Sequence, residues 1–238
     1  MPNRQLRLFP LNTVLFPGVV LHLHVFEPRY KQLIDECLAE QVPFGVVLIS
    51  EGGEAGDPSV MPYDVGTVAH IREVTRLPFE RYYVSTIGCE RFRIEEIVFR
   101  QPYLTGRVVY LSDERLPDKR CTNLANEVRT ILREYLWLLL DVCASDAKVD
   151  LPSDARSTSY ITADSLRISN PLKQRLLELP STKQRLTIEI RLLRRLVPQL
   201  RKLLERRQSA IDGAPETTAD AVFRVRQDKL FGKHFSVN

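Results

Sequence analysis

The stretch Val19-Val20-Leu21-His22-Leu23-His24-Val25-Phe26, followed at once by Glu27-Pro28-Arg29-Tyr30, changes its period within twelve residues. Its first eight residues are β-branched, aliphatic and aromatic, with His at alternate positions, and lie between Pro17-Gly18 and Pro28, which is the pattern of a strand. Pro28 then suits a first helical turn, and Tyr30, Leu33, Ile34, Cys37 and Leu38 recur at helical spacing until Pro43, giving a helix with one buried face. A helix set inside a strand-rich region decides the class as α+β.

Working outward, Gln5–Phe9 alternates polar and apolar residues, and Phe44–Ile49 is a short continuous apolar run of the kind a buried strand carries. Gly52-Gly53 and Gly56-Asp57-Pro58 mark a polar loop after it. Val65–Leu77 and Tyr82–Phe99 read as two long strands joined by a hairpin whose tip is Leu77-Pro78-Phe79-Glu80-Arg81, and Tyr103–Leu111 closes the set. Gly66 and Gly88 fall inside strand patterns, where glycine marks a bulge or a close backbone approach. Six or seven strands with one helix form a closed or strongly curved mixed sheet.

After Leu116-Pro117-Asp118 the period becomes helical. Leu124, Val128, Ile131, Leu132, Tyr135, Leu136, Leu139 and Leu140 stripe a helix of about six turns. Ala144–Tyr160 is polar, carries Pro152 and reads as a loop or broken turn. Asn170-Pro171 opens a short helix that Pro180 ends, and Ser181 with Gln184 has capping-box spacing for a long helix, with Pro198 expected to bend it. The division expected is a β domain over 1–116, a helical domain over 117–208 with a long basic helix at 181–208, and a flexible tail over 209–238.

The chain has 238 residues, 44% hydrophobic and 27% charged, with a net charge of +4. These values exclude a fibre or a disordered chain. No apolar run approaches the ~20 residues that span a bilayer, and no signal peptide is evident, so a cytoplasmic protein without a membrane partner is expected. Cys37, Cys89, Cys121 and Cys143 are scattered, without the pairing of a disulfide framework or a zinc site. There is no phosphate-cradling GxxxxGK[ST] loop, and no GxSxG, HExxH or GxGxxG motif. His22 and His24 share a strand face but lack a third ligand, and Glu95-Glu96 are neighbours on a strand and should face opposite ways. No catalytic residue, metal or cofactor is assigned, and the chain reads as a non-enzyme.

Six motifs in order, Leu8-Phe9-Pro10-Leu11, Val14-Leu15-Phe16-Pro17-Gly18, Leu23-His24-Val25-Phe26-Glu27-Pro28-Arg29-Tyr30, Phe44-Gly45-Val46-Val47-Leu48-Ile49, Val65-Gly66-Thr67-Val68-Ala69 and Gly88-Cys89-Glu90-Arg91-Phe92-Arg93-Ile94, strongly resemble the N-terminal, substrate-binding domain of Lon proteases. The resemblance covers roughly residues 6–112, and Gln174-Arg175-Leu176-Leu177-Glu178 with Arg185-Leu186 resembles the helical part that follows. It implies a PUA-like curved mixed β pseudo-barrel with one inserted helix, followed by a C-terminal α-helical bundle. In full-length Lon proteases an ATPase module and a serine-lysine peptidase module come after this region, and the chain is expected to be a free-standing version without them.

The expected function is therefore a non-catalytic module binding exposed or unfolded polypeptide segments or a partner protein. Phe79 stands at the hairpin tip where the family usually has a glycine-containing turn. Phe79, Tyr82 and Tyr83, with Met61 and Tyr63 from the neighbouring loop, are the candidate contacts, although Tyr82 or Tyr83 must point inward because adjacent strand residues face opposite sides. The alternative rests on charge. Residues 1–116 hold 12 basic and 15 acidic side chains, whereas residues 183–207 hold nine basic and two acidic. Arg191, Arg194, Arg195, Arg201, Lys202, Arg206 and Arg207 could bind nucleic acid or an acidic partner, or simply form the solvated face of a leucine-striped helix.

Overall fold

The computed structural model describes residues 4–51, 60–113, 119–140 and 150–212. Along the chain run β1 (Arg4–Leu11), β2 (Val20–Val25), α1 (Pro28–Glu40), β3 (Phe44–Glu51), β4 (Met61–Pro62), β5 (Val65–Leu77), β6 (Arg81–Phe99) and β7 (Thr105–Leu111). Four helices follow: α2 (Lys119–Leu140), α3 (Ala155–Ser165), α4 (Asn170–Glu178) and α5 (Thr182–Asp212). The expected mixed sheet with an inserted helix and a following set of helices is what the chain forms.

Five strands close on themselves in the order β1-β7-β6-β5-β3, because the two halves of β1 take different partners. Arg4–Arg7 pairs antiparallel with β7, and Leu8–Leu11 pairs parallel with β3. Closure leaves those strands without open edges inside the ring, while β5 and β6 run on beyond it. Leu6, Leu8, Val47, Val68, Phe92 and Val108 fill one side of the interior. Gly66 and Gly88 are the close approaches their positions suggest: a Cβ would meet the carbonyl oxygen of Val46 or of Phe16, respectively, at 2.4 Å.

β6 is 19 residues long, and one of its edges is shared by two strands. Residues 91–99 pair with β7, while Tyr82–Ile87 pair with β2, and the outer half of β5 accompanies β6 to the hairpin. β2 and the outer halves of β6 and β5 therefore form a three-stranded antiparallel wing projecting from the barrel. Its inner face, with Leu23, Val25 and Val84, packs on Leu33 and Ile34 of α1, whose buried stripe is Tyr30, Leu33, Ile34 and Cys37, while Leu38, expected on that face, is exposed. Its outer face carries Val20, His22, His24 and Tyr83, all exposed.

In the helical part, the buried stripes of α2 (Cys121, Ala125, Val128, Leu132, Tyr135) and α5 (Leu186, Ile190, Leu193, Val197) both step by four and three residues. That is the heptad stripe of paired helices. Arg194 pairs with Glu127 and Arg201 with Glu134, so both partners advance by seven and the two helices run parallel. α3 corrects the loop expected at the end of Ala144–Tyr160. Residues 144–149 lie outside those described, but a helix starts at Ala155, capped by Asp154, whose carboxylate accepts from the Ser157 amide at 2.8 Å. α5 runs on to Asp212, so residues 209–212, expected in a tail, are helical, and 213–238 lie outside the described residues. The polar loop after Phe44–Ile49, the junction near 116 and Cys143 also lie outside.

Candidate functional site

The wing ends in a turn that its sequence does not favour. Leu77 pairs with Arg81, and Phe79 and Glu80 between them have φ values of 62° and 53°. Pro78 precedes them in this three-residue loop, and two consecutive positive φ angles favour glycine or asparagine at both positions. Here a phenylalanine and a glutamate hold the left-handed region, at a cost of the order of 1 kcal/mol or more each. Phe79 gains no burial in return, since it is 88% exposed, with the Arg81 guanidinium over its ring at 5.6 Å. Glu80 is tied to Lys31 of α1 at 3.3 Å.

Tyr82 and Tyr83 divide as adjacent strand residues must. Tyr82 turns toward α1, joins the core under the wing and donates its hydroxyl to Asp35 at 3.2 Å, with burial and that carboxylate raising its pKa. Beside it α1 and the wing enclose a cleft of about 670 Å³ lined by Lys31, Asp35, Glu36, Arg76, Glu80 and Tyr82. Tyr83 faces outward. Its ring stacks on His22 at 5.5 Å and meets His24 edge-on at 5.3 Å, so the two histidines flank an aromatic ring. Among the described residues no group of three or more His, Cys, Asp or Glu is placed to hold a metal ion.

Met61 and Tyr63 are not brought to this surface. Met61 lies in β4 and Tyr63 just before β5, while Phe79 lies beyond the far end of β5, and thirteen strand residues span up to about 40 Å. Met61 is exposed, and Tyr63 packs with Phe16, Tyr160, Leu176 and Leu177 where the barrel meets the helices. Glu95 and Glu96 are both exposed, because a register shift between Ile94 and Glu96 breaks the simple alternation expected there. All seven basic-helix candidates, Arg191, Arg194, Arg195, Arg201, Lys202, Arg206 and Arg207, are exposed on α5, and Arg194 and Arg201 are engaged with α2.

A second polar centre locks the helices to the barrel. Asp113, just past β7, has its side chain 4% exposed and takes Arg91 of β6 at 2.5 Å, Arg185 of α5 at 3.1 Å and the half-exposed Arg156 of α3 at 3.2 Å. Tyr160 donates its hydroxyl to the same carboxylate at 2.9 Å, lies 4.2 Å under the Arg185 guanidinium, and is pushed by burial up to about 12. Arg91 and Arg185 also donate to the carbonyl of Leu179 at the end of α4. Arg185 Nε donates to Ser159 Oγ at 3.1 Å, and Ser159 donates to Glu189 Oε1 at 2.8 Å. Glu189 is fully buried, its other oxygen has no partner among the described residues, and burial pushes its carboxyl up to about 8. Sequence reasoning missed this centre; its members are 22 to 76 residues from Asp113, so no local spacing announces it.

The family model described as the ATP-dependent protease La (LON) substrate-binding domain matches residues 5–195. The chain belongs to this family. A solved Lon N-terminal domain protein from Xanthomonas campestris is 28% identical, with a TM-score of 0.58 over 77% of this chain and 95% of that one. The N-terminal domain of the Mycobacterium avium complex Lon protease shares the fold at 18% identity, with a TM-score of 0.60 over 80% and 98% of the two chains. The Lon protease of Anaeromyxobacter dehalogenans is 27% identical over 94% of this chain, which covers 27% of that protein. That of Flavobacterium johnsoniae is 32% identical over 76% of this chain and 23% of its own length. The chain thus spans about a quarter of the length of the curated relatives it matches. Among the described residues no helix is long and apolar enough to cross a membrane.

Proposed function

We propose that this chain is a non-catalytic module that binds exposed or unfolded polypeptide segments, with the outer half of the wing as its contact surface. The observation that carries the reading is Phe79, held at positive φ and 88% exposed at the end of the β5–β6 hairpin. A protein gains no stability from that arrangement, and a strained, exposed aromatic on a fixed scaffold is suited to be an anchor for a partner. Tyr83 is an exposed ring on the outer face of the same wing, whereas Tyr82 faces α1; Met61 and Tyr63 would make at most a separate contact.

Titration with reduced, carboxymethylated α-lactalbumin, a permanently unfolded chain, tests the reading. Wild type should bind, and Phe79→Ser should weaken binding by about tenfold with the fold intact. Unchanged binding by Phe79→Ser removes the tip from the site. The alternative, nucleic acid or an acidic partner on α5, is supported by Arg191, Arg195, Lys202, Arg206 and Arg207, which are exposed and have no ion pair among the described residues. That reading requires affinity for random RNA that falls steeply between low and near-physiological salt.

A further inference from the structure

We propose that the free edge of β2 receives an extended segment of a non-native polypeptide as an added β-strand, so that the partner is held through its main chain as well as by the aromatic tip. This rests on the polypeptide-binding reading and names the manner of binding. The pairing of β2 with β6 fixes which backbone groups are left over. The Gly88 amide donates to the Val19 carbonyl at 2.9 Å and the Gly18 amide donates to the Gly88 carbonyl at 2.8 Å. The register then continues Leu21 opposite Thr86, Leu23 opposite Val84 and Val25 opposite Tyr82. In an antiparallel ladder hydrogen-bonded pairs alternate, so Leu21, Leu23 and Val25 spend their N–H and C=O groups on β6. The same groups of Val20, His22 and His24 point to the other side, where no strand pairs among the described residues.

Such an edge invites another strand, and proteins usually guard it with charge, proline or a bulge. The other margin of the wing is guarded in this way: the outer half of β5 carries Arg72, Glu73 and Arg76 and a register shift between Ile71 and Glu73. β2 is not. From Val20 to Phe26 it has no charged residue, no proline, no glycine and no register shift. Three donors and three acceptors on six residues match an extended main chain and no other common ligand. The side chains on the outer face, Val20, His22 and His24 backed by Tyr83, offer an apolar and aromatic shelf for alternate residues of the guest. At the Val25–Tyr82 end the shelf leads to Phe26, 54% exposed, and to the hairpin bearing Phe79. The edge is too small for a stable pairing of two copies: six strand residues fall well short of the ~800 Å² per partner that standard interfaces bury. It suits a transient hold on a flexible chain, and the guest it favours is uncharged and rich in β-branched and aromatic residues.

The test uses the whole chain and the same unfolded probe, carboxymethylated α-lactalbumin. His22→Pro removes one outward donor while leaving the bonds to β6 in place, and Val20→Lys puts a charge on the edge. Each should weaken binding at least tenfold with the melting temperature little changed, and amide hydrogen exchange of wild type should slow on binding at residues 20, 22 and 24. Binding that survives both substitutions, or exchange that does not slow at those amides, overturns the added strand while leaving the polypeptide reading standing. If wild type fails to bind the probe at all, that reading falls and this one with it. A dimer in sedimentation that His22→Pro abolishes assigns the edge to a second copy and also overturns the proposal. Should His22→Pro not fold, Val20→Lys and the exchange pattern decide.

Discussion

Glu189→Gln should remove a fall in stability across the neutral range. In the folded chain the Glu189 carboxyl keeps its proton to about 8, against 4.5 for the ordinary group, because burial penalises its charge more than the Ser159 hydrogen bond and Arg185 favour it. Between those two values the unfolded chain has released the proton and the native chain still holds it. Stability therefore falls as pH rises from about 4.5 to about 8, at up to ~1.4 kcal/mol per pH unit, and levels off above. Across the whole window the loss is of the order of 5 kcal/mol, a large part of a domain's 5–15 kcal/mol. Glutamine keeps the shape and the acceptor for Ser159 but cannot ionise, and its buried amide protons lack partners, which costs about 1–3 kcal/mol at any pH. Urea denaturation at pH 5, 6.5 and 8.5 should thus find the variant slightly weaker than wild type at pH 5 and stronger by several kcal/mol at pH 8.5. Taking the difference between the two proteins cancels other titrations, including Asp164, which burial also raises. Parallel pH profiles for the two proteins would refute the assignment of a buried protonated carboxyl.

The strained tip and the Asp113 centre give two more tests. Phe79→Asn with Glu80→Gly replaces two ill-suited residues of the turn by the pair it prefers, and should raise stability by about 1–2 kcal/mol in thermal unfolding while weakening the probe binding described above. Asp113→Asn leaves Arg91 and Arg185 buried with an uncompensated charge and should cost about 3–5 kcal/mol, whereas Arg156→Ala, on the half-exposed partner, should cost under about 1 kcal/mol. Equal losses from the two would mean that the three guanidinium groups share the carboxylate evenly.

The elements that could be read from the sequence are those with a strong local period. The strand runs of β5 and β6, most of the apolar face of α1 and the helical stripes of α2 and α5 all survive in the fold, the helices because each buries one side. α3 escaped since half of its buried residues are Thr158, Ser159 and Thr162, polar side chains satisfied by the carbonyls of Asp154 and Thr158 and by Glu189. A hydrophobic period cannot report such a face. The return of β1 to β3 escaped for a different reason: it is a pairing between distant segments, and Leu8–Leu11 and Gly45–Leu48 carry nothing that names each other. Among the candidate contacts, Phe79 was legible as an exposed ring because it sits in a turn, while the grouping with Met61 and Tyr63 failed because nearness in sequence across a long strand is not nearness in space.

The open edge of β2 follows from how the chain closes its barrel. β1 takes both β7 and β3 as partners, so the ring is complete with five strands and needs no sixth. β6, however, is longer than the ring requires, and its outer half leaves room on one side that β2 fills. A strand added outside a closed ring has one paired and one unpaired side wherever the chain goes next. Topology thus supplies the unpaired side, and the side chains decide its fate. On β5 charge and a bulge guard it, and on β2 the sequence from Val20 to Phe26 leaves it bare beside two exposed aromatics. An edge left bare by neutral residues over six positions, next to a turn that holds an aromatic under strain, costs the free protein both solubility and stability. Under the proposed added strand, an extended guest chain would cover both features at once.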